Sequence, residues 1–426
     1  MAQTHLQMNH VARIEGHGNV SLSIDDGRVV DVRMNIVEPA RMFESMVVGR
    51  PYDQLGYIAS RICGICSSNH VVTSLLAVEQ IFGIEVSERT RQLRELLVYG
   101  SFLQNHTTHL LTFAAPDYLG MESMLPLSES DPGLYRSALS IKQLGNDLCT
   151  AIGGRAIHPV CAVVGGFTHE PDPDLCLVLA DRLRDVRPAA EKLVSLFAGF
   201  DVPSVITDGD MLSLSSEGEY PVFDADARFA SDGERFSSLD YHRFIEEYPV
   251  DYSAAYLSRR ADTGSSFMVG ALARMNAGWD GLSQPAHFAA VSAGLRPYCG
   301  NPYMNNIAQA VELVDACVRC EAVLRELSRG IGSSEPVRFV PKAGRGVGMT
   351  EAPRGLLVHD IELDEDGRVV HASIITPTVH NLREMEANIW KVAEVLLESG
   401  ASDDDIRHEV EMLVRAYDPC LSCSVH

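Results

Sequence analysis

Arg61-Ile62-Cys63-Gly64-Ile65-Cys66-Ser67-Ser68-Asn69-His70, near the start of the chain, has a counterpart at the far end in Asp418-Pro419-Cys420-Leu421-Ser422-Cys423-Ser424-Val425-His426. Each stretch contains a C-x-x-C pair, and nearly the whole chain separates the two pairs. Two such pairs can converge on one soft metal site, because zinc, nickel and iron–sulfur clusters all accept four thiolate ligands. A metal held in this way would bring the two ends of the chain together.

Three chemistries are compatible with these two pairs. A structural zinc site usually has both pairs within a few tens of residues, because its role is to fold a small module. A thioredoxin-like redox site needs one pair in an α/β context and leaves the other pair unexplained. A catalytic metal with ligands from distant parts of a rigid scaffold fits the spacing best. The residues alone leave all three chemistries open.

A third pair, Cys317-Val318-Arg319-Cys320, lies inside a predicted helix over residues 304–329, which favours a buried structural role. The remaining cysteines stand alone and are most simply small buried side chains: Cys149, Cys161, Cys176 and Cys299. Too few clustered cysteines remain for an iron–sulfur cluster, so we expect none in this chain. No G-x-G-x-x-G fingerprint follows a predicted strand, so we expect no flavin or nucleotide site either.

The charge and hydropathy of the chain limit its partners. Lys and Arg total 35 against 58 Asp and Glu, which gives a formal net charge of −23. Such an acidic surface repels phosphate backbones, so we expect no nucleic-acid partner. No apolar stretch approaches the ~20 residues of a membrane helix, and the first residues lack the features of a secretory signal. The sequence therefore predicts a cytoplasmic protein without a membrane span of its own.

The spacing of apolar residues predicts an α-rich (α+β) fold. Steps of three and four residues predict helices over 87–114, 174–199, 304–329, 383–399 and 402–417. Alternation around two Asp-Gly turns predicts β-hairpins over 19–37 and 356–375, which could share one small sheet. The Pro- and Gly-containing stretches 203–234 and 331–349 are predicted surface excursions. We expect residues 1–426 to form one domain, a large helical bundle core with small peripheral hairpins.

Five motifs, in the same order along the chain, resemble those of nickel–iron hydrogenase large subunits. The two cysteine motifs match the family's R-x-C-G-x-C-x-x-x-H and D-P-C-x-x-C-x-x-H signatures. The other three matches are Arg13-Ile14-Glu15-Gly16-His17, Gly153-Gly154-Arg155 followed by His158-Pro159, and Glu351-Ala352-Pro353-Arg354-Gly355. The resemblance implies the large-subunit fold of that family, and a reversible heterolytic oxidation of H2 to protons and electrons.

By this resemblance, the four cysteines would hold a nickel–iron centre. Cys63 and Cys420 would be terminal nickel ligands, while Cys66 and Cys423 would bridge nickel to an iron that also carries carbon monoxide and cyanide. Thiolates suit this task because soft, electron-rich sulfur stabilises the nickel states that react with hydrogen. His70 would donate a hydrogen bond towards the sulfur of Cys66 and tune its electron density.

The same resemblance gives roles to residues around the metals. Glu15 would carry the proton released from H2 outward from a terminal cysteine. Arg354 would overhang the two metals, held in place by the carboxylate of Asp418. Asn105 falls where many membrane-bound relatives have Asp, so a carboxylate is missing here, and this departure suggests the soluble branch of the family.

A structural magnesium ion is also implied by the resemblance. Glu44 and His426 match the family's ligands, and a backbone carbonyl near Ile374 would be a third. So few protein ligands suit Mg2+, which usually retains several waters. The ion would pin the C-terminal segment and so position Cys420 and Cys423.

The implied partners are an iron–sulfur small subunit and further iron–sulfur and flavin subunits, which would pass electrons to NAD(P), a deazaflavin or a heterodisulfide reductase-like partner. Two alternatives stay open at this point: a non-catalytic zinc protein with four cysteine ligands, and a quinone-site subunit like that of respiratory complex I. The complex I branch has lost the four cysteines, whereas all four are present here.

Overall fold

The computed structural model describes residues 4–207 and 209–426, and helices dominate it. In chain order these are α1 Phe43–Val47, α2 Tyr52–Ala59, α3 Ser67–Phe82, α4 Glu88–Thr108, α5 Ala115–Tyr118, α6 Leu127–Ser130, α7 Pro132–Gly153, α8 Pro173–Ala198, α9 Ala271–Gly278, α10 Gln284–Ser292, α11 Asn305–Leu327, α12 Pro377–Ser399 and α13 Asp403–Ala416. No helix within the described ranges is long and apolar enough to cross a membrane.

The strands of the described residues are short and form small sheets around the helices. They are β1 Thr4–Met8, β2 Gly18–Asp25, β3 Arg28–Ile36, β4 Ala162–Val163, β5 Gly166–Phe167, β6 Asp210–Ser215, β7 Asp226–Phe229, β8 Arg235–Phe236, β9 Ile245–Tyr248, β10 Leu257–Arg260, β11 Phe267–Met268, β12 Gly344–Ala352, β13 Gly355–Leu363 and β14 Val369–Ile375. Two of the sheets, β1-β2-β3 and β12-β13-β14, are three-stranded and antiparallel throughout.

Helix α11 lies at the centre of the helical bundle. It packs against α4, α8 and α10, and α7 packs against both α4 and α8. All of its residues from Asn305 to Cys317 are buried, including the polar Gln309, Glu312 and Asp315. A helix buried on every side belongs to the interior of a large protein. Its buried charges must find partners within the fold, because an unpaired buried charge is costly.

Helix α3 and strand β12 touch backbone to backbone, and two glycines allow this approach. A Cβ atom at Gly346 would lie 2.1 Å from the carbonyl oxygen of Ala77, and one at Gly348 would lie 2.1 Å from that of Thr73. No side chain fits into either gap, so glycine is required at both positions. The contact holds the start of α3, which carries the first cysteine motif, beside the turn after β12.

Helix α4 changes its geometry at its C-terminal end. Residues His109–Ala114 form a π-helical segment that leads into α5. Such segments inside α-helices are rare and are frequent at functional sites. Here the segment turns His109 inward, where its ring is buried and bonds to Gln309 of α11.

The predicted fold class and most predicted elements are confirmed. The predicted hairpins correspond to β2/β3 and β13/β14, and each gains a third strand, β1 or β12, that the sequence pattern did not indicate. The hairpins lie in two separate sheets, so the suggestion of a shared sheet is wrong. Helix α12 begins at Pro377, earlier than predicted, because proline is favourable in the first turn of a helix.

The structure also contains elements that the sequence pattern missed. Helices α3 and α7 were not predicted, and α3 is buried along almost its whole length, which removes the polar face that reveals a helix. The stretch 203–234 was expected at the surface, yet it contains β6, whose six residues are all buried. Strand β6 lies between β11 and β7, and burial on both faces explains why it shows no polar alternation.

Candidate metal centre

The two cysteine motifs meet in the folded chain. Cys63 follows a 3-10 turn over Ser60–Ile62, and Cys66 immediately precedes α3. The sulfur atoms of Cys63 and Cys420 are 3.8 Å apart, and those of Cys63, Cys420 and Cys423 all lie within 4.8 Å of one another. All four cysteines are buried. The ends of the chain therefore converge on one buried cluster of sulfur.

Cys63 and Cys66 interact with each other and with Arg354. The backbone N–H of Cys66 donates to the sulfur of Cys63 over 3.2 Å, and Nη1 of Arg354 lies 3.4 Å from the sulfur of Cys66. The hydrogen bond from the Cys66 side chain lowers the pKa of Cys63 in spite of its burial. The same bond, together with burial, raises the pKa of Cys66. Cys63 therefore becomes a thiolate more readily than Cys66 does.

Cys420 and Cys423 are joined by a disulfide bond, which differs from the pair of free thiolates that the sequence predicted. Sulfur binds a metal ion as the thiolate, so ligation by these two residues requires the reduced form. Their position supports the prediction all the same, because both sulfurs face Cys63 at the distances given above.

Arg41 ties the first cysteine motif to the second. Its Nη2 donates to the carbonyl oxygen of Ile62 over 2.6 Å and also to that of Ser422. Its backbone N–H donates to the carbonyl of Val425 over 2.7 Å. One residue thus holds the chain just before Cys63 against the C-terminal segment. Nothing in the sequence distinguishes Arg41 from other arginines, and its role was not predicted.

Glu15 lies against the second cysteine motif. Its backbone forms a parallel bridge with Cys420 and accepts a 3.0 Å bond from the N–H of Leu421. Its carboxylate accepts bonds from the backbone N–H, over 3.2 Å, and the hydroxyl of Ser422. Gly16 has a φ of 85°, and a Cβ atom there would lie 2.9 Å from the nitrogen of Ser422. Glycine after Glu15 therefore permits this close approach, and Glu15 itself is only partly buried.

Arg354 is buried beside the sulfur cluster and paired with Asp418. Its Nε donates to the carbonyl oxygen of Asp418 over 2.6 Å and to Oδ1 over 3.1 Å, and Nη2 lies 3.0 Å from Oδ1. Burial disfavours both charges, yet their attraction lowers the pKa of Asp418 and raises that of Arg354. The pair therefore stays ionised, and the planar guanidinium keeps one edge directed at Cys66.

Comparison with known proteins identifies the family. The model of the nickel-dependent hydrogenase family matches residues 41–132 and 306–426, and a HoxL-like family matches residues 5–38. Sulfhydrogenase 1 subunit alpha of Pyrococcus furiosus is 37% identical over 427 residues, which cover 99% of this chain and 97% of that protein. The chain belongs to the nickel-dependent hydrogenase family.

More distant hydrogenases agree with this assignment. The NAD-reducing hydrogenase HoxS subunit beta of Cupriavidus necator is 28% identical, over 99% of this chain and 94% of its own length. A crystal structure of an NAD+-reducing [NiFe]-hydrogenase in the H2-reduced state matches with a TM-score of 0.88 at 26% identity, over 99% of both chains. The chain is thus a catalytic large subunit, an oxidoreductase acting on hydrogen, with a cysteine-bound nickel–iron centre. The zinc-protein and complex I alternatives are without support.

In this hydrogenase subunit, two amides hold Asp418 from the side opposite Arg354. Asn105 donates from Nδ2 to Oδ2 of Asp418 over 2.6 Å, and Gln309 donates from Nε2 to the same oxygen over 3.1 Å. An aspartate at position 105 would put two carboxylates in contact, which disfavours the ionised form of one of them. The amide of Asn105 instead stabilises the charge that pairs with Arg354.

His70 lies one turn into α3, and its ring bonds to a second histidine. Its Nδ1 is 3.0 Å from Nε2 of His359, whose Nδ1 is 3.0 Å from the hydroxyl of Ser74. Within the described part of the chain no hydrogen bond joins this ring to the sulfur of Cys66, so the predicted donation to that sulfur is not observed. Burial lowers the pKa of His70 well below its usual range and that of His359 to about 3, so both rings are neutral.

The three predicted magnesium ligands lie together near the C-terminus. Oε1 of Glu44 is 3.8 Å from Nε2 of His426, and the same ring nitrogen contacts the carbonyl oxygen of Ile374. Glu44 also accepts a 2.7 Å bond from the N–H of Ile374. Burial, together with the charge of Glu44, raises the pKa of Glu247 to about 8. A carboxylate, a ring nitrogen and a carbonyl oxygen that lie this close together are a small but suitable ligand set for a divalent ion that keeps its waters.

A buried charge network behind the metal centre was missed by sequence reasoning. Arg274 of α9 donates to Glu312 of α11 over 2.6 and 2.8 Å, and to Glu351 over 3.0 Å. Glu312 also bonds to His106 over 2.8 Å and accepts the hydroxyl of Tyr220. Although burial opposes it, the attraction of Arg274 lowers the pKa of Glu312 to about 2. Only the E-A-P-R-G motif, which includes Glu351, could have pointed to this network.

Proposed function

We propose that Cys63 and Cys420 would hold nickel and that Cys66 and Cys423 would hold both nickel and iron, with carbon monoxide and cyanide as further ligands of the iron. When bound, this centre supplies the Lewis acid and electron acceptor that split H2 heterolytically and reversibly. The observation that carries the proposal is the buried cluster of sulfur beside an ionised arginine. Residues 1–426 act as one catalytic unit, because this cluster draws on both ends of the chain.

The sulfur cluster has the chemistry that this centre requires. Thiolates are soft ligands that select nickel and iron over magnesium or calcium. All four sulfurs are buried, so water has little access to the metals. The tendency of Cys63 to ionise, together with the guanidinium of Arg354, favours the thiolate form that ligation needs.

Glu15 is the proposed carrier of the proton released from H2. Its backbone pairs with Cys420, its carboxylate accepts two bonds from Ser422, and the residue is only partly buried. A carboxylate at such a position can accept a proton from the sulfur side and release it to water on the other. Its fixed orientation, held at both carboxylate oxygens, keeps the acceptor in place for each turnover.

Arg354 is assigned the electrostatic stabilisation of the reaction. It brings a fixed positive charge to the buried sulfur of Cys66, and charge interactions are strong where water is excluded. Asp418 keeps the guanidinium in one orientation, and Asn105 and Gln309 keep Asp418 in place. His70, in contact with His359, supports the first turn of α3 and therefore the position of Cys66.

A magnesium ion held by Glu44, His426 and the carbonyl of Ile374 belongs to the same proposal. These groups already lie together, so one ion could reach all three of them. The ion would fix the last residue of the chain and so the segment that carries Cys420 and Cys423. Water would complete its coordination, as is usual for this ion.

The electrons pass to an iron–sulfur small subunit and, through further iron–sulfur and flavin subunits, to NAD(P), a deazaflavin or a heterodisulfide reductase-like partner in the cytoplasm. Two relatives are named as subunits, and one of them as part of an NAD-reducing enzyme. The isolated chain should therefore reduce neither NAD(P) nor viologen with H2, and addition of the small subunit should restore viologen reduction. Robust NAD(P) reduction by the isolated chain would contradict this assignment of partners.

Metal analysis of the active enzyme tests the central proposal. We expect nickel and iron in a 1:1 ratio in this chain, and infrared bands of carbon monoxide and cyanide in a region where proteins do not absorb. One zinc and no nickel in active protein would exclude the proposed centre. The Cys423→Ser variant, which lacks one proposed ligand, should contain no nickel and show none of these bands.

The role of Glu15 has a separate test. Glu15→Gln retains the shape of the side chain but cannot carry a proton, so H2 uptake and H/D exchange should collapse while the nickel content and infrared bands stay unchanged. Exchange at the wild-type rate in this variant would mean that the proton leaves by another route.

A further inference from the structure

Ser422, which lies between Cys420 and Cys423 in the sequence, contacts both a cysteine sulfur and the carboxylate of Glu15. Its hydroxyl donates to Oε1 of Glu15, and its backbone N–H donates to Oε2 over 3.2 Å. Its Oγ also lies 4.0 Å from the sulfur of Cys420. The other residue between the two cysteines, Leu421, is apolar and completely buried in the hydrophobic core. Ser422 is thus the position of this motif that connects a cysteine sulfur with a carboxylate.

The backbone of Ser422 is held by groups outside its own motif. Its carbonyl oxygen accepts a bond from Nη2 of Arg41, which also bonds the carbonyl of Ile62. The adjacent Leu421 donates its N–H to the carbonyl of Glu15 over 3.0 Å. The hydroxyl is therefore attached to a fixed backbone and can direct a mobile side chain.

Glu15 depends on Ser422 for its orientation. Within the described residues, the hydrogen bonds of the Glu15 carboxylate go to Ser422 and none goes to a cysteine sulfur. Glu15 is only partly buried, so without these bonds its flexible side chain could turn towards water. One oxygen is held by a backbone N–H, which substitution cannot remove, and the other by the hydroxyl.

We propose that Ser422 is a positioning residue whose hydroxyl holds the Glu15 carboxylate beside the sulfur of Cys420. This inference rests on the proposed role of Glu15 as proton carrier and names the residue that keeps the carrier in place. Small displacements of a reacting group have large effects on rate, because proton transfer requires a short donor–acceptor distance. A C-x-x-C motif with serine before its second cysteine would then combine ligation with orientation of the proton acceptor.

The experiment compares three substitutions in the assembled enzyme with its small subunit. Ser422→Ala removes the hydroxyl and keeps the backbone bond. Ser422→Thr and Ser422→Val have the same shape and differ only in the hydroxyl. Ser424→Ala is the control, because the Ser424 hydroxyl is buried in the same segment but bonds to the carbonyl of Leu421. The measurements are nickel content, the infrared band of the Glu15 carboxyl group, identified by its absence in Glu15→Gln, and the H/D exchange rate.

We expect Ser422→Ala to retain its nickel, to shift the Glu15 carboxyl band to higher frequency through loss of a hydrogen bond, and to lower the exchange rate about tenfold. Ser422→Thr should restore both quantities, whereas Ser422→Val should resemble Ser422→Ala. Ser424→Ala should match the wild type in both. If Ser422→Ala binds no nickel, the carboxyl band and the exchange rate are compared between Ser422→Thr and Ser422→Val instead.

An unshifted carboxyl band with wild-type exchange in Ser422→Ala, or equal behaviour of the Thr and Val variants, would overturn the proposal. The band shift does not require turnover, so it reports on Ser422 even if Glu15 is not the proton carrier. Wild-type exchange in Glu15→Gln would refute the carrier role alone. Collapse of exchange in Glu15→Gln with wild-type behaviour in Ser422→Ala would refute the role of Ser422 alone.

Discussion

The cysteine pairs at the chain ends and the pair Cys317/Cys320 share one spacing but have different surroundings. Cys63 and Cys66 lie in the turn before α3, where the backbone N–H of Cys66 bonds the sulfur of Cys63 and the guanidinium of Arg354 contacts that of Cys66. Cys317 and Cys320 lie inside α11, almost completely buried, and among the described residues neither sulfur has a hydrogen-bond donor. Burial raises the pKa of Cys317 to about 12 and that of Cys320 well above its usual range.

This difference shows that C-x-x-C spacing alone does not specify a metal site. In a helix, the two residues face the same side one turn apart, and here that side is the apolar interior of the bundle. In a turn, the same spacing leaves backbone N–H groups free to bond sulfur, which stabilises the thiolate. The donors around the sulfur, which the fold supplies, decide between ligand and core residue.

Removal of one proposed ligand should have the largest effect. Cys423→Ser replaces a soft thiolate by a hydroxyl that binds nickel and iron poorly, so nickel should be lost and H2 oxidation should fall below detection. Cys317→Ser in the helical pair should retain nickel and activity. Metal analysis and H2-dependent viologen reduction check both. Retained turnover in Cys423→Ser would contradict the ligand role of Cys423. Loss of nickel in Cys317→Ser would contradict the structural role of the helical pair.

A substitution at Arg354 tests the charged surroundings of the end pairs. Arg354→Lys keeps the charge but loses the planar fork that bonds Asp418 and Cys66 together. We expect H2 oxidation to fall about 10²–10³-fold with nickel retained, the usual range for the loss of one fixed electrostatic contact in a buried site. Activity within twofold of the wild type would show that a point charge suffices there.

A smaller effect is expected from truncation of the helical pair. Cys317→Ala removes a buried sulfur from α11 and leaves a small cavity, so the free energy of unfolding should fall by about 1–2 kcal/mol. Activity per nickel should be unchanged. Chemical denaturation and metal-normalised H2 uptake provide the two measurements. A loss of activity without a loss of stability would indicate a function for this pair that the structure does not suggest.

The smallest effect concerns reactivity towards alkylating agents. A thiol whose pKa is raised to about 12 stays protonated below that pH, and only the thiolate reacts, so Cys317 should remain unlabelled between pH 7 and pH 9. The half-buried Cys161 serves as the control and should be labelled. Mass spectrometry of the native protein distinguishes the two. Labelling of Cys317 before Cys161 would show that the bundle opens easily around α11.

Several features of this protein follow from its sequence alone. The two C-x-x-C motifs and the local motifs around Glu15 and Arg354 predict the residues that now lie at one buried site. The apolar spacing of α4, α8, α11 and α13 predicts helices at those positions. These features are local: a helix face or a motif is written within a few neighbouring residues.

Tertiary structure alone decided which residues complete the site. Arg41 joins Ile62 to Ser422, His70 bonds His359, and Arg274 connects two glutamates from different elements. Each of these contacts joins parts of the chain that are far apart in sequence, and each depends on how helices and strands pack. The partner of a polar residue inside an apolar run cannot be predicted from the run itself, because packing decides which distant side chain lies next to it. The sequence therefore determined the four cysteines and the chemistry of their sulfurs, while packing determined the hydrogen bonds that orient the groups around them.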